Sequence, residues 1–173
     1  DNLLIADSSK NAVQEFAIEN SSLEFTGFAV ASEKTAYNRI GQTAKALDVN
    51  ANVTAVLDDF KLTIIKNQNG EKIYKNYLQS ALSNANDISL GKNLIALYTK
   101  NASTISFIDL EKDQTLPTIS VDGKISDVAY KNGTFYIAMI LNANVSILSC
   151  DGTSTKTLYT FENAFDIVNK PKK

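Results

Sequence analysis

Histidine and tryptophan are absent from this chain, and cysteine and methionine occur once each. Without histidine there is no Ser-His-Asp or Cys-His nucleophile, no imidazole general base and no ordinary catalytic zinc site. One cysteine, Cys150, allows no intrachain disulfide and no thiolate cluster. It closes the apolar run Val145 to Ser149 and reads as a packed small hydrophobe or a turn residue rather than a nucleophile. No Walker A or Gly-x-Gly-x-x-Gly pattern is present, and no apolar run reaches the roughly 18 residues of a membrane-spanning helix. Arginine is nearly missing as well. Of 17 basic residues only Arg39 is an arginine, and the net charge is -2. That balance excludes the usual nucleic-acid binder, which gathers Arg and Lys on one face to displace counterions. The densest basic stretch, Lys170, Lys172 and Lys173, reads as a solvated tail.

What is present describes a soluble globular chain. Hydrophobic residues make up 44% and charged residues 21% of 173, enough for a substantial core and too apolar for disorder. With only 7 Gly and 2 Pro, the turns must draw on Asn, Asp and Ser. The first residue is Asp1 rather than Met, which gives the expectation of a trimmed or mature product of extracytoplasmic origin, periplasmic or secreted. Five Asn-x-Ser/Thr triplets, at Asn20, Asn52, Asn101, Asn132 and Asn144, are little more than this composition yields by chance.

The strongest pattern is a beat. Leu47-Asp48-Val49, Asn86-Asp87-Ile88, Ser126-Asp127-Val128 and Phe165-Asp166-Ile167 each set an aspartate before a β-branched residue, at spacings of 39, 40 and 39. Hairpins fill the intervals. Their first members, Leu3 to Asp7, Val53 to Leu57, Leu94 to Tyr98 and Phe135 to Met139, are almost continuously apolar, as strands buried on both faces are. The second members, Ala12 to Ile18, Lys61 to Lys66, Thr104 to Leu110 and Val145 to Ser149, alternate, as strands with one wetter face do. A fourth short strand follows: Lys72 to Tyr74 after Asn69-Gly70, Leu116 to Val121, and Thr157 to Phe161 after Asp151-Gly152.

A four-stranded unit repeated at this period resembles a β-propeller of the general WD40, YVTN or kelch-like superfamily. No Trp-Asp dipeptide, Gly-His pair or kelch double glycine narrows the resemblance to one family. It implies an all-β, single-domain array of about four antiparallel blades, with repeats near 1–47, 48–86, 87–126 and 127–165. A closing strand at 166–168 would pair with the chain's beginning and seal the ring. A β-sandwich is the alternative fold, although a sandwich needs no such period. About ten residues beyond the beat fall between Phe28 and Ala46. There Ala36, Tyr37, Ile40, Ala44 and Leu47 lie at helical spacing, so a short helix or a longer loop is expected.

The resemblance implies a rigid platform whose loops cluster at two ends and bind a protein partner without catalysis. The residues expected to meet that partner are Lys10, Asn11, Asp58, Asp59, Lys100, Asn101, Asn142 and Asn144, at the hairpin tips. Asp58-Asp59 is too local to be a catalytic dyad, since adjacent side chains diverge. Asp48, Asp87, Asp127 and Asp166 have two readings. Either each accepts backbone hydrogen bonds and fixes the turn into its strand, or together they ring a channel and hold a hard cation such as Ca²⁺. The first is preferred and no cofactor is expected. Two further alternatives stand: the chain as a fragment or half of a larger propeller, monomeric if its ring closes and dimeric if open, and a metal-dependent, carboxylate-based hydrolase, which the lack of histidine disfavours.

Overall fold

Apolar runs that alternate or are continuous at strand length form strands. The computed structural model describes residues 2–7, 12–19, 22–30, 44–78, 82, 84–162 and 164, and these contain sixteen strands in four antiparallel sheets. The chain divides into two compact units, Asp1–Leu82 and Ser83–Lys173.

The first unit holds two sheets. Strands β1 (Asn2–Asp7), β2 (Ala12–Glu19) and β3 (Ser22–Val30) form a three-stranded meander. Strands β4 (Ala44–Val49), β5 (Val53–Asp58), β6 (Lys61–Gln68) and β7 (Glu71–Leu78) form a four-stranded one. Val13, Val56 and Ile65 meet between these sheets, with Leu4, Ala44, Leu47 and Tyr74 packed around them. Lys72 Nζ reaches Glu15 Oε2 at 2.8 Å across the same seam. The helical spacing does not survive there. Ala44 and Leu47 belong to β4, with Leu47 opposite Val56, because the apolar slot beneath β5 rewards a strand with period two. Ala36, Tyr37 and Ile40 lie outside the described residues, as do the closing segment 166–168 and the site candidates Lys10, Asn11 and Asp166.

The second unit repeats the arrangement. Strands β8 (Asp87–Leu90), β9 (Leu94–Tyr98) and β10 (Thr104–Asp109) are followed by an outer edge in two pieces, β11 (Gln114–Thr115) and β12 (Ile119–Ser120), both paired with β10. A single strand at Leu116 to Val121 was expected. Pro117 interrupts it, because proline has no N–H for the ladder. Strands β13 (Lys124–Lys131), β14 (Thr134–Leu141), β15 (Asn144–Cys150) and β16 (Thr155–Phe161) complete the fourth sheet. The expected Asn-Gly turns form at Asn69-Gly70 and Asn132-Gly133, with φ of 52° and 82°, and 51° and 87°. Positive φ at both central residues is what a two-residue hairpin requires.

The core of this unit lies between the third and fourth sheets. Phe107 and Phe135 meet edge to face with centroids 5.2 Å apart, surrounded by Ala96, Ile105, Ile125, Ile137 and Leu148. Gly91 sits so close to this seam that a Cβ would stand 2.8 Å from Phe135 Cζ. The sheets are also tied by backbone. The N–H of Asn101 donates to the Ile125 carbonyl and the N–H of Ile125 to the Ala102 carbonyl, both at 2.8 Å.

Burial differs among the sheets. β5 and β6 are buried almost without interruption, and so are β9 and β10, whereas β14 and β15 are buried at alternate residues only. Among the described residues no helix is long and apolar enough to cross a membrane. Phe135→Ala removes the ring at the centre of the second unit. It is expected to cost about 3–5 kcal/mol in urea unfolding, the range for emptying an aromatic site in a core.

Candidate functional site

Antiparallel meanders place the tips between the second and third strands of each sheet at the same end as the segment entering the first strand. Ala44 pairs with Asp58, Asp87 with Tyr98, and Lys124 with Ile140, so the entry and the tip adjoin in all three complete sheets. The candidate surface is this end of each sheet.

At the β5–β6 tip, Asp58 is fully buried. Its Oδ1 accepts the N–H groups of Phe60 at 2.7 Å and Lys61 at 2.9 Å. Asp58 therefore builds the turn and is withdrawn from the partner-binding set, because a carboxylate between two strands is best satisfied by its own backbone. Asp59 is half-buried and pairs with Lys45 at 3.2 Å. Burial pulls the Lys61 ammonium below its ordinary value, against the opposing pull of the Asp58 charge. At the β9–β10 tip Lys100 and Asn101 are exposed. Asn101 takes φ of 68° and uses its N–H to hold Ile125, while Lys100 Nζ lies 3.3 Å from Asp87 Oδ2. At the β14–β15 tip Asn142 is exposed with φ of 56°, and Asn144 is half-buried.

One exposed residue of this surface lies outside the sequence-based set. Phe60 is 60% exposed on a tip whose backbone Asp58 holds rigid. The signal was legible: an aromatic residue between Asp-Asp and Lys stands where turn chemistry alone calls for a small polar one.

The repeated aspartates are not equivalent. Asp48 is one residue from the end of β4, Asp87 opens β8, and Asp127 lies mid-strand in β13 beyond a register shift at Ser126. Equal spacing in sequence therefore gives three different heights along the strands. Asp48 Oδ1 accepts the Val49 N–H at 2.8 Å, and Asp87 Oδ1 accepts the Ile88 N–H at 3.0 Å. Asp127 does something else: the Tyr98 hydroxyl donates to its Oδ1 at 2.9 Å, joining the third sheet to the fourth. Tyr98 is only 3% exposed, and its oxygen also accepts the Val128 N–H. Burial, then the bond to Asp127 and the nearby Asp87 charge, push the phenol well above its ordinary pKa. Among the described residues no group of three or more acidic or sulfur ligands is placed to hold a metal ion.

The geometry that recurs is an aspartate closing its own turn. Asp58, Asp109 and Asp151 each accept the N–H groups two and three residues later. Asp151 Oδ1 takes those of Thr153 and Ser154 at 2.8 Å, which lowers its pKa from the ordinary 3.8 to about 2. Cys150, next to it, is buried and its thiol is pushed up by that burial, as suits a packed side chain.

No protein-family model matches the chain, and no curated protein matches it in sequence. Solved structures do match in fold. A chain of the nidogen/laminin complex is similar over 93% of this chain and 62% of its own, with TM-score 0.58 and 15% identity. Kuenenia stuttgartiensis hydrazine synthase is similar over 91% and 46%, with TM-score 0.59 and 14% identity. The Neurospora crassa Pan2 WD40 domain is similar over 92% and 48%, with TM-score 0.57 and 12% identity. The fold is that of β-propeller-like repeat proteins, in four antiparallel sheets. The chain spans 46% to 62% of the length of these three structures.

Two outcomes follow from the polar contacts. Tyr98→Phe leaves the Asp127 carboxylate and the Val128 N–H short of a partner and is expected to cost about 1–2 kcal/mol in denaturant unfolding. Asp151 has a folded pKa below its unfolded one, so its contribution is present above pH 3.8 and lost as pH falls towards about 2. Acid unfolding followed by circular dichroism is expected to show a smaller loss over that window in Asp151→Asn.

Proposed function

We propose that the chain is a non-catalytic binding module that presents the hairpin tips of stacked β-sheets to a protein partner. The observation that carries this is Phe60, a largely exposed aromatic on a tip that Asp58 locks through two backbone bonds. A rigid aromatic anchor loses little conformational freedom on binding, and such anchors dominate protein interfaces. Asp59 is the polar neighbour of Phe60 on the same tip; Lys10 and Asn11 in the first unit, and Lys100, Asn101 and Asn142 at the tips of the second, are proposed as further partner contacts. The likeness to WD40 propellers supports a scaffold role. The hydrazine synthase match shows that a similar fold also occurs in an enzyme. An extracytoplasmic setting, no cofactor and no nucleic-acid partner complete the reading.

The first sheet has three strands among the described residues, with β1 and β3 at its edges. The beat in the sequence offers Asp166-Ile167-Val168 as the missing innermost strand. Its pairing with β1 would make a fourth complete blade, within one chain or between two. The spans of 46% to 62% favour the second proposal, that this array is part of a larger propeller.

Quantitative affinity capture tests the binding reading. Proteins retained by the wild-type chain are expected to fall at least roughly tenfold with Phe60→Asp, as for loss of an interface anchor. Retention of the same proteins in the same amounts would remove the tips as the binding surface.

A further inference from the structure

The outer strand of the fourth sheet holds an aromatic pair beside a carboxylate, all within the second unit. The register of β16 on β15 slips at Leu158, which stands opposite no residue of β15. Beyond the slip, Tyr159 lies opposite Ile147 and Phe161 opposite Val145, two residues apart and so on one face. Thr160 between them points the other way, and its hydroxyl meets that of Ser146 at 2.9 Å, which pins the strand. The rings pack on each other with centroids 4.5 Å apart and planes at 57°. They stay open to solvent, Tyr159 57% and Phe161 50% exposed. The turn that follows is held by the Ala164 N–H, which donates to the Ala143 carbonyl at 2.9 Å. It carries Glu162, which is exposed and has no cation paired with it among the described residues. Val145, Tyr159, Thr160, Phe161, Glu162 and Ala164 line a cavity of about 660 Å³, within the roughly 300–1,000 Å³ of ordinary ligand sites.

Two exposed rings and an unpaired carboxylate are the groups that recognise an organic cation. A ring face carries the negative lobe of its quadrupole, and a cation within about 6 Å of the centroid is drawn to it. The chain uses this contact elsewhere: on β7, the outer strand of the second sheet, Lys75 Nζ lies 5.4 Å from the Tyr77 ring centroid. On β16 the rings are present and the described residues supply no such cation. Lys156, the one basic residue of that strand, lies opposite Ser149 on the far side of the slip. We propose that the cavity takes the guanidinium of an arginine side chain from a partner peptide. Guanidinium suits it better than ammonium because it is planar, weakly hydrated and forked, so it stacks on a ring while donating two N–H groups to one carboxylate. A metal ion needs more ligands than one carboxylate, and Glu162 repels an anion. The room beyond a single side chain lets the peptide backbone run beside β16, the edge of the fourth sheet. The site goes beyond the binding role proposed for the tips and uses none of its residues.

Titration of the isotope-labelled full chain with the peptide acetyl-Gly-Arg-Gly-amide, followed by NMR, tests it. Saturable shifts are expected at Val145, Tyr159, Phe161, Glu162 and Ala164. The citrulline peptide, of the same shape without the charge, is expected to bind at least roughly tenfold more weakly, and so is the arginine peptide to Glu162→Gln. Phe161→Leu keeps apolar bulk but loses the ring, and is expected to weaken binding roughly two- to fivefold. The spectrum of each variant reports whether it is folded. Absence of shifts at these residues, a citrulline or lysine peptide that binds as tightly, or indifference to both substitutions would overturn the proposal. Affinity capture with Phe60→Asp reads the tip and this titration reads β16, so either proposal can fail alone.

Discussion

The edge-to-face contact of Phe107 and Phe135 stands for the constraint on which the rest depends: a β-sheet has two faces, and an apolar face must find another sheet. The second strands of the second, third and fourth sheets, β5, β9 and β14, are apolar on both sides. Once Phe107, Ile125, Ile137 and Leu148 interlock, the register of their strands is set, because a slip of one residue would turn the buried set outward. Val13, Val56 and Ile65 do the same in the first unit. Hydrogen bonds then follow the apolar choice. Asn101 and Ala102 exchange backbone bonds with Ile125 only because the sheets are already seated.

The turns solve a second problem, how to reverse the chain with few glycines. Asparagine takes most of the left-handed positions outside glycine, at Asn69, Asn84, Asn101, Asn132 and Asn142. Aspartate closes others by accepting two N–H groups from its own turn, at Asp58, Asp109 and Asp151. Both devices fix loop tips through local bonds, so a tip can hold an exposed aromatic such as Phe60 in one place. Local rigidity and a protruding apolar side chain are together what a binding surface needs. The aspartates of the beat share this chemistry only in part. Asp48 and Asp87 bond to the next backbone N–H, while Asp127 serves a tyrosine of the neighbouring sheet.

Strand positions, hairpin pairs and the Asn-Gly turns were legible in the sequence because they rest on period-two burial and on the φ preferences of single residues, both local properties. The split of the outer edge at Pro117 was equally local, but a two-residue strand falls below what a run of apolar residues signals. The site was less legible. Asp58 looks like a surface residue in sequence and is fully buried, since its exposure depends on the strands that flank it. Leu47 reads as helical by spacing and is held in β4 by Val56 and its neighbours.

The sequence by itself determined an all-β repeat, the partition into sheets and the exclusion of histidine- and thiolate-cluster chemistry. Composition and short-range periodicity suffice for those. Only the tertiary structure decided which carboxylates are spent on turns and that Tyr98 binds Asp127 across sheets. Each of these depends on residues far apart in the chain meeting at angstrom precision, and a repeat period carries no information about register at that scale. The shift at Ser126 moves Asp127 away from the level that its spacing of forty residues implied.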